Sequence, residues 1–222
     1  MLARALDVIF PQRCAGCGAG PWPFCDPCRA SLKALRPPWC RRCGRPKAMS
    51  VPRCRDCPPP EIDTARAPFR FEGPARQAIH RLKFSGWRGV GSALSLAMTE
   101  VEGLPSVEVV TWVPLARRRL AERGFDQARV LATGVARRTN TPCVGLLTRA
   151  RSTGPQAKRD AVARRMAMRG AFAVGDRVEV PSSVLVVDDV LTTGATAAAA
   201  AQALRQAGAT SVHLVVAARA YA

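Results

Sequence analysis

The chain is poor in acidic residues and in lysine, and it lacks a long apolar run. Of its 222 residues, 34 are lysine or arginine and only 16 are aspartate or glutamate, so the formal net charge is +18. Four of the basic residues are lysines and the other 30 are arginines. Because arginine presents a planar fork of donors that suits phosphate oxygens, this composition favours a polyanionic ligand. A coding bias toward arginine that only solvates the surface would produce the same composition.

No segment approaches the roughly 20 consecutive apolar residues that a membrane-spanning helix needs. The first 14 residues contain one short apolar run, residues 6–10, and no small-residue cleavage site of the secretory type. We therefore expect a soluble, cytoplasmic protein. Since 48% of the residues are hydrophobic, the chain can bury a core of ordinary size plus a small appendage, which excludes a wholly disordered protein.

Eight of the nine cysteines precede residue 58 and form four Cys-x-x-Cys pairs. Such pairs are typical of tetrahedral zinc thiolate sites in a reducing compartment rather than of a disulfide framework. We predict two structural zinc ions, each held by two pairs that follow one another in the sequence, although spacing alone also permits a crossed arrangement. The predicted ligands are Cys14, Cys17, Cys25 and Cys28 for one ion, and Cys40, Cys43, Cys54 and Cys57 for the other. The ninth cysteine, Cys143, is predicted to be a packing residue.

Three consecutive prolines, residues 58–60, follow the last cysteine pair and form a stiff spacer. We place a domain boundary there, with a double zinc-ribbon domain at residues 1–60 and a second domain at residues 61–222. The formal charge is +8 over residues 1–60 and +11 over residues 115–169, and the remainder is close to neutral. Each Zn²⁺ with four thiolates carries about −2, so the stretch at 115–169 dominates the positive charge.

Strands and helices alternate after the spacer. The apolar patterns predict strands near residues 68–71, 107–113, 144, 184–187 and 212–216, and helices over residues 75–84, 89–101, 127–137 and 196–207. This alternation indicates an α/β domain with a mostly parallel sheet flanked by helices. Ligands of such sheets bind at the carboxyl ends of the strands.

The predicted strand at residues 184–187 leads into two aspartates, Asp188 and Asp189, and then into the Thr-Thr-Gly-Ala-Thr loop at 192–196. The start of a helix is a ready-made phosphate site, whereas carboxylates suit vicinal hydroxyls. The pattern therefore predicts a site for a ribose 5-phosphate. No Gly-x4-Gly-Lys-Ser/Thr sequence occurs, which excludes a Walker loop. An ordinary capped helix would explain one threonine, but not the two aspartates and the glycine.

This element resembles the phosphoribosyl pyrophosphate (PRPP) motif of type I phosphoribosyltransferases. With the cysteine-rich segment, the remaining motifs resemble the ComF family of competence and DNA-utilisation proteins, which are related to amidophosphoribosyltransferases. Those motifs are Phe71-Glu-Gly73, Ile79-His-Arg-Leu-Lys83-Phe84-Ser-Gly86, Val113-Pro-Leu115, Arg119, Arg123-Gly-Phe-Asp-Gln127, Gln156, Arg164 and Gly170-Ala-Phe172. The chain departs from the family at Asp126 and Ala167, where asparagine is usual.

The resemblance implies a type I phosphoribosyltransferase fold, Mg²⁺-dependent binding of PRPP, and a role in DNA uptake, natural transformation or DNA utilisation. Asp188 and Asp189, as the catalytic pair, would hold the ribose 2′- and 3′-hydroxyls, and Mg²⁺ would bridge diphosphate and ribose oxygens. The other implied PRPP-binding residues are those of the phosphate loop, the loop after an earlier strand, and three cations: Thr192, Thr193, Gly194, Ala195, Thr196, Pro114, Leu115, Ala116, Arg119, Arg123 and Lys83.

Two functions of different class stay open at the level of the sequence. The protein is either an enzyme that transfers the phosphoribosyl group to a nitrogenous base or amine in nucleotide metabolism, or a module that binds PRPP while it engages single-stranded DNA or a DNA-processing partner. No base pocket and no glutaminase domain are recognisable in the sequence. Because few aromatic residues lie near the basic stretch, the sequence does not favour a platform for stacking bases.

Overall fold

A computed structural model describes residues 13–149, 170–175 and 178–221. Its elements, numbered in chain order, are α1 (Asp26–Ser31), β1 (Thr64–Arg66), β2 (Phe69–Arg70), α2 (Gly73–Phe84), α3 (Val90–Thr99), β3 (Val109–Trp112), α4 (Arg117–Arg123), α5 (Gln127–Thr139), β4 (Leu147–Arg149), β5 (Phe172–Val174), β6 (Ser183–Leu191), α6 (Ala195–Gln206) and β7 (Ser211–Arg219). No helix within these ranges is both long and apolar enough to cross a bilayer.

The main sheet has the order β1, β7, β6, β3, and β2 also pairs with β7. All of these pairs are parallel, and the register places Val187 of β6 between Trp112 of β3 and Val215 of β7. A separate two-stranded sheet joins β4 and β5 in antiparallel fashion. The predicted α/β class with a mostly parallel sheet is thus confirmed.

Side chains of β6 alternate between two hydrophobic clusters, as the period of two in a strand requires. Leu185 and Val187 pack with α2, α3 and α5 on one face of the sheet. Val184 and Val186 pack with α6 on the other face. Helix α6 is rich in buried alanines, whose small side chains allow the helix to approach the sheet closely. Helices therefore cover both faces, and the carboxyl ends of the strands form one edge that is left for a site.

The prediction of a strand near residue 144 was wrong. Val110 and Cys143 form only an isolated parallel bridge, and the nearest strand, β4, begins at Leu147 in the smaller sheet. Cys143 is exposed, so its predicted packing role was also wrong, because burial in this stretch falls on Leu146 and Leu147.

Helix α4 was not predicted because it contains no buried residue and so shows no apolar periodicity.

Arginines of the α/β domain tie it to the cysteine-rich segment. Arg66 of β1, which is 7% exposed, donates hydrogen bonds to the carbonyl oxygens of Arg41 (2.7 Å) and Glu102 (3.1 Å). Arg81 of α2 donates to the carbonyls of Ala15 and Gly16. Apolar side chains of the cysteine-rich segment also join the hydrophobic cluster on the α2 side of the sheet. The two segments are packed together, and a domain boundary at residue 60 stays a prediction.

Candidate functional site

The two aspartates lie inside strand β6, which continues to Leu191 alongside β7. The register pairs β6 with β3 only as far as Val187 and Trp112. Asp188 and Asp189 therefore stand just beyond the carboxyl end of β3, where the neighbouring strand has given way to a loop. Such a position, at the carboxyl ends of parallel strands, is where α/β sheets bind their ligands.

Asp189 is at the centre of a buried polar network. It is 5% exposed, and its Oδ1 lies 2.9 Å from the Lys83 Nζ of α2. Its Oδ2 accepts a hydrogen bond of 3.1 Å from the Gln127 Nε2, and the Gln127 Oε1 accepts one of 2.9 Å from the Arg123 Nη1. The network thus brings together three residues expected at the site, namely Asp189, Lys83 and Arg123.

Gln127 was not predicted as a site residue, although it is 5% exposed and contacts Asp189 directly. Gln127 is the first residue of α5 and lies four residues after Arg123. A buried amide beside a carboxylate and a guanidinium can donate to one and accept from the other, and so fixes both. The signal that could have found it was its place at the end of the Arg123-Gly-Phe-Asp-Gln127 motif.

The pKa of the Asp188 carboxyl is raised well above its ordinary value. Burial and the adjacent carboxylate of Asp189 raise the pKa of Asp188 to about 8, although the backbone N–H of Asp189 donates to its Oδ1 at 2.8 Å and opposes the shift. Two neighbouring carboxyl groups in a buried place cannot both ionise without cost. A ligand that brings hydroxyl donors or a cation to this pair would favour the ionised form.

The loop after β6 enters helix α6 through a glycine in the left-handed conformation. Thr192 and Thr193 are exposed, and Gly194 adopts a left-handed φ of +80° immediately before α6 begins. The Thr193 Oγ1 accepts a weak hydrogen bond of 3.4 Å from the backbone N–H of Ala195. A small cavity of about 40 Å³ is lined by this loop, by Thr196 and by Asp188. Residues at the start of α6 and Asp188 therefore line one cavity.

The proline spacer packs against this loop from the outside. A Cβ added to Gly194 would lie 3.5 Å from the Pro58 Cβ and 3.6 Å from the Pro59 Cδ. Arg42 fixes the spacer, because its guanidinium donates to the carbonyls of Pro58 (2.9 Å) and Pro59 (2.7 Å). The prolines that follow the second cysteine tetrad therefore support the loop at residues 192–196.

The loop after β3, residues 114–116, is pinned by Asp126. The backbone N–H of Leu115 donates to the Asp126 Oδ2 at 2.9 Å, while the Asp126 Oδ1 accepts from the Ala128 N–H at 2.9 Å and caps α5. Both carboxylate oxygens are used, which explains how aspartate serves at a position where the resemblance leads one to expect asparagine. Pro114 and Ala116 flank the pinned residue, and Ala116 is the N-cap of α4.

Arg149, at the end of β4, is a second residue that the sequence did not single out. Its guanidinium lies 5.3 Å from the ring centroid of Phe172. Burial and the nearby Arg119 lower the pKa of Arg149, and Asp188 opposes that shift. Arg119, Arg149 and Asp188 therefore interact electrostatically. Arg149 adds a cation to those expected around a diphosphate.

A larger cavity, of about 610 Å³, adjoins the Lys83–Asp189 pair. Its lining combines cations with aromatic rings and comes from α2 and the loop after it, from α4, and from the turn before α5. The lining residues are His80, Lys83, Phe84, Gly86, Arg119, Glu122, Arg123 and Phe125. Two motif residues from the sequence, Gln156 and Arg164, lie outside the described residues.

The cysteines form two tetrads in the sequential pairing. In each tetrad the four Sγ atoms lie within 4.8 Å of one another, and the members are Cys14, Cys17, Cys25 and Cys28 in one, and Cys40, Cys43, Cys54 and Cys57 in the other. Four thiolates at a Zn–S distance of about 2.3 Å in a tetrahedron have sulfurs about 3.8 Å apart. The recorded Sγ separations of 3.5 to 3.8 Å agree with that value.

Backbone amides favour the thiolate of Cys14 in the first tetrad, whereas burial and the neighbouring thiols raise the pKa of Cys28 to about 12. The N–H groups of Cys17 and Cys25 donate to the Cys14 Sγ at 3.4 and 3.3 Å. Burial opposes ionisation, but these hydrogen bonds lower the pKa of Cys14 to about 6. The residues present thus fit a tetrahedral metal ion with four cysteine ligands and no open position, which is the arrangement of structural zinc sites.

Comparison with known proteins agrees with this organisation. The family model described as "Double zinc ribbon domain" matches residues 5–58, and the one described as "Phosphoribosyl transferase domain" matches residues 127–222. The fold and the cysteine tetrads therefore define a phosphoribosyltransferase-type α/β protein with a double zinc ribbon at its start.

Related proteins show which family within this class the chain belongs to. The chain is 33% identical to "DNA utilization protein YhgH" of Escherichia coli O157:H7, over 88% of this chain and 89% of the relative. It is 26% identical to "Competence protein ComFC" of Bacillus subtilis, over 83% and 78%, and 28% identical to "Competence protein F" of Haemophilus influenzae, over 83% and 85%. The chain belongs to the ComF family.

Solved structures of lower similarity were also found. Glutamine PRPP amidotransferase from B. subtilis, complexed with ADP and GMP, matches at 27% identity with a TM-score of 0.40. The match covers 57% of this chain and 26% of the amidotransferase chain, so this protein spans about a quarter of that structure's length.

Proposed function

We propose that the protein binds PRPP together with Mg²⁺ at the carboxyl edge of the sheet, and that this binding serves DNA uptake or utilisation. The observation that carries the proposal is the shared cavity of Asp188 and the Thr192–Thr196 loop, since a carboxylate next to helix amides suits a ribose 5-phosphate. The names of the relatives, which refer to DNA utilization and competence, support the cellular role.

In this proposal each half of the site recognises one part of PRPP. The loop amides and the hydroxyls of Thr192, Thr193 and Thr196 bind the 5-phosphate, and the Asp188 and Asp189 carboxylates accept from the ribose hydroxyls. Lys83 and Gln127 hold Asp189 in place for that purpose.

Carboxylate oxygens are ligands that Mg²⁺ prefers. When bound, Mg²⁺ would offset the charge of the diphosphate. The loop at 114–116 and the guanidinium groups of Arg119, Arg123 and Arg149 would cover that diphosphate. Two zinc ions in the cysteine tetrads would be structural, and reduced thiolates suit a cytoplasmic protein.

A second candidate is an active phosphoribosyltransferase of nucleotide metabolism without a DNA role. The observation that favours it is the 610 Å³ cavity beside the Lys83–Asp189 pair. Catalysis of such a transfer depends mainly on positioning and on stabilising the leaving group, and a cavity next to the ribose carboxylates offers the position. Product analysis with PRPP and candidate nitrogenous bases or amines separates this enzyme from a PRPP sensor.

Isothermal titration calorimetry with PRPP and Mg²⁺ tests the site. We expect saturable binding by the wild-type protein and none by the double variant Asp188→Asn/Asp189→Asn. Glu100→Gln, at an exposed position after α3, removes one negative charge elsewhere and should bind as the wild type does. Absence of binding by the wild-type protein would overturn the assignment.

The role of DNA needs its own measurement. Electrophoretic mobility with a single-stranded oligonucleotide compares the wild type, a variant with glutamine at Arg117, Arg118, Arg119 and Arg123, and the metal-depleted protein. Binding that survives the substitutions and disappears on metal removal would locate the DNA contact on the zinc ribbons. Binding lost only through the substitutions would locate it at α4.

A further inference from the structure

We infer that the groove between helices α3 and α5 is a second anion site, separate from the PRPP site, which binds a chain of phosphate groups. The groove is a cavity of about 370 Å³, within the range of roughly 300–1,000 Å³ that is typical of small-molecule sites. None of its lining residues lines the cavities beside Asp188 and Lys83. The inference therefore goes beyond the proposed function and does not depend on PRPP. Four arginines line the groove, namely Arg88, Arg129, Arg137 and Arg138.

These four arginines have no acidic residue opposite them. The groove lining contains no aspartate or glutamate, and within the ranges that the structure describes none of the four makes an ion pair. All four are exposed. Like charges held close together repel one another, and a bound anion relieves that repulsion. Because a guanidinium presents a planar fork of donors, the anion that it suits is a phosphate or a carboxylate.

The helix dipoles account for only half of this charge. Arg137 and Arg138 lie in the last turn of α5, where a cation is favourable. Arg88 lies two residues before α3, and Arg129 is the third residue of α5. Both therefore lie at the positive end of a helix, where a cation is unfavourable. A bound anion makes this placement favourable, because the guanidinium groups and the helix ends then attract the same negative charge.

Aromatic rings hold two of the guanidinium groups in place. The Cζ atom of Arg88 lies 5.0 Å from the ring centroid of Phe125, and that of Arg129 lies 5.6 Å from the ring of Trp112. Stacking on a ring leaves the N–H donors at the edge of the guanidinium plane available to a ligand. Since the side chains are already ordered, a ligand loses less free energy in fixing them.

Close packing of the two helices forms the floor of the groove. A Cβ added to Gly134 of α5 would lie 2.7 Å from the Ser95 Cβ of α3, so only glycine permits this approach. Arg138 joins the helices, because its Nη2 donates to the Ser92 Oγ at 3.2 Å and its Nη1 to the Ser95 Oγ at 3.3 Å. The groove is therefore a fixed, polar channel between two helices that are held together.

The spacing of the arginines selects an extended ligand. Arg129 and Arg137 are eight residues apart on α5, or about 12 Å at 1.5 Å per residue. Arg88 lies at the Arg129 end, since it stacks on Phe125 just before α5. A single phosphate is too small to reach both ends, whereas phosphates about 3.4 Å apart, as along one strand of duplex DNA, span the groove in a chain of about four. Free polyphosphate and the backbone of a nucleic-acid strand both offer such a chain.

Calorimetry with two probes tests the groove. Short-chain inorganic polyphosphate and single-stranded oligothymidylate are each titrated into the full chain, saturated with Mg²⁺-PRPP so that the PRPP site is filled. We expect at least one probe to bind the wild type saturably. Arg129→Gln/Arg137→Gln should weaken that binding at least tenfold. Arg36→Gln/Arg76→Gln, which removes two charges from exposed positions outside the groove, should stay within twofold of the wild type. Because all four arginines are exposed, both variants are expected to fold.

The two probes distinguish the sources of the phosphate chain. Loss of polyphosphate binding alone in the groove variant would identify free polyphosphate as the ligand. Loss of oligothymidylate binding would identify a nucleic-acid strand, and the slope of log association constant against log salt should then become less steep by about 1.4, at about 0.7 per lost phosphate contact.

Other outcomes would overturn the inference. Binding of neither probe by the wild type would do so, and so would an equal loss of binding in the groove variant and in its control, which would indicate diffuse attraction to a basic surface. The dissociation constant for PRPP should stay within twofold in the groove variant. If the wild type fails to bind PRPP, the proposed function falls, and the same titrations into the ligand-free protein still decide whether the groove binds a phosphate chain.

Discussion

Replacing Asp188 with asparagine should stabilise the protein in alkaline solution while it removes PRPP binding. The unfolded carboxyl loses its proton near its ordinary pKa of 3.8, whereas the folded carboxyl loses it near 8. Between these values the unfolded state binds fewer protons than the native state, so the free energy of unfolding falls as the pH rises. Below about pH 4 the protonated Asp188 carboxyl makes its full contribution to the free energy of unfolding of the wild-type protein. Above about pH 8 that contribution is lost.

The magnitude follows from the same linkage. One proton of difference changes the free energy of unfolding by at most about 1.4 kcal/mol per pH unit, so three units, from pH 5 to pH 8, give an upper limit of about 4 kcal/mol. Asparagine has no proton to lose there, and its Oδ1 can still accept from the Asp189 N–H, as the Asp188 Oδ1 does. The free energy of unfolding of the variant, relative to that of the wild type, should therefore rise steadily from pH 5 to pH 8.

Urea denaturation of the ligand-free protein at half-unit steps from pH 5 to pH 8.5 measures the difference. Glu100→Gln, which removes an equal charge from an exposed position, should keep the wild-type dependence on pH. Parallel curves for the wild type and Asp188→Asn would refute the reasoning, because they would mean that the Asp188 carboxyl ionises equally easily in the folded and unfolded states.

Three other changes test further parts of the structure. Gly194→Ala forces an alanine into a φ of +80° at a cost of about 1 kcal/mol, so PRPP should bind about fivefold more weakly by calorimetry. Arg66→Met removes the donor to the Arg41 and Glu102 carbonyls and leaves a gap at a position that is 7% exposed, so it should lower the urea-derived free energy of unfolding by about 3 kcal/mol. Mass spectrometry under native conditions should find two zinc ions per wild-type chain and one in Cys40→Ser, since each tetrad needs all four thiolates.

Matched variants control each measurement. Gly208→Ala has a φ of +111° with nothing within 4 Å of the added Cβ, so it should lose stability and keep PRPP affinity. Arg76→Met, at an exposed position, should change stability by less than about 0.5 kcal/mol. Cys143→Ser should keep both zinc ions. Equal effects in any variant and its control would contradict the corresponding prediction.

Most of the fold was predictable from the sequence because its strands are apolar and its helices have one buried face. The strand that carries Leu185 and Val187 has an uninterrupted apolar run, as parallel strands buried on both faces do. Helix α4 and the short strand β4 were missed, since neither has an apolar repeat long enough to show a period. Their places are decided by packing against distant residues.

The candidate site was predictable where its residues are adjacent in the sequence. Asp188, Asp189 and the loop that follows them form one continuous pattern. Gln127 and Arg149 were not found, because each reaches the site from another element, 62 residues before Asp189 in the case of Gln127. Sequence spacing gives no distance between such elements, and only the folded sheet brings them together.

The packing of Pro58 and Pro59 against Gly194 connects the second cysteine tetrad with the loop that we propose binds the 5-phosphate. If the ordered spacer helps to hold the phosphate-type loop, then thermodynamic reciprocity requires that a ligand in the loop also holds the spacer. PRPP would then slow the escape of metal from the second tetrad to a chelator, and the availability of zinc would set how well the protein senses PRPP. A structural ion would in this way act as an effector of a site that it never touches.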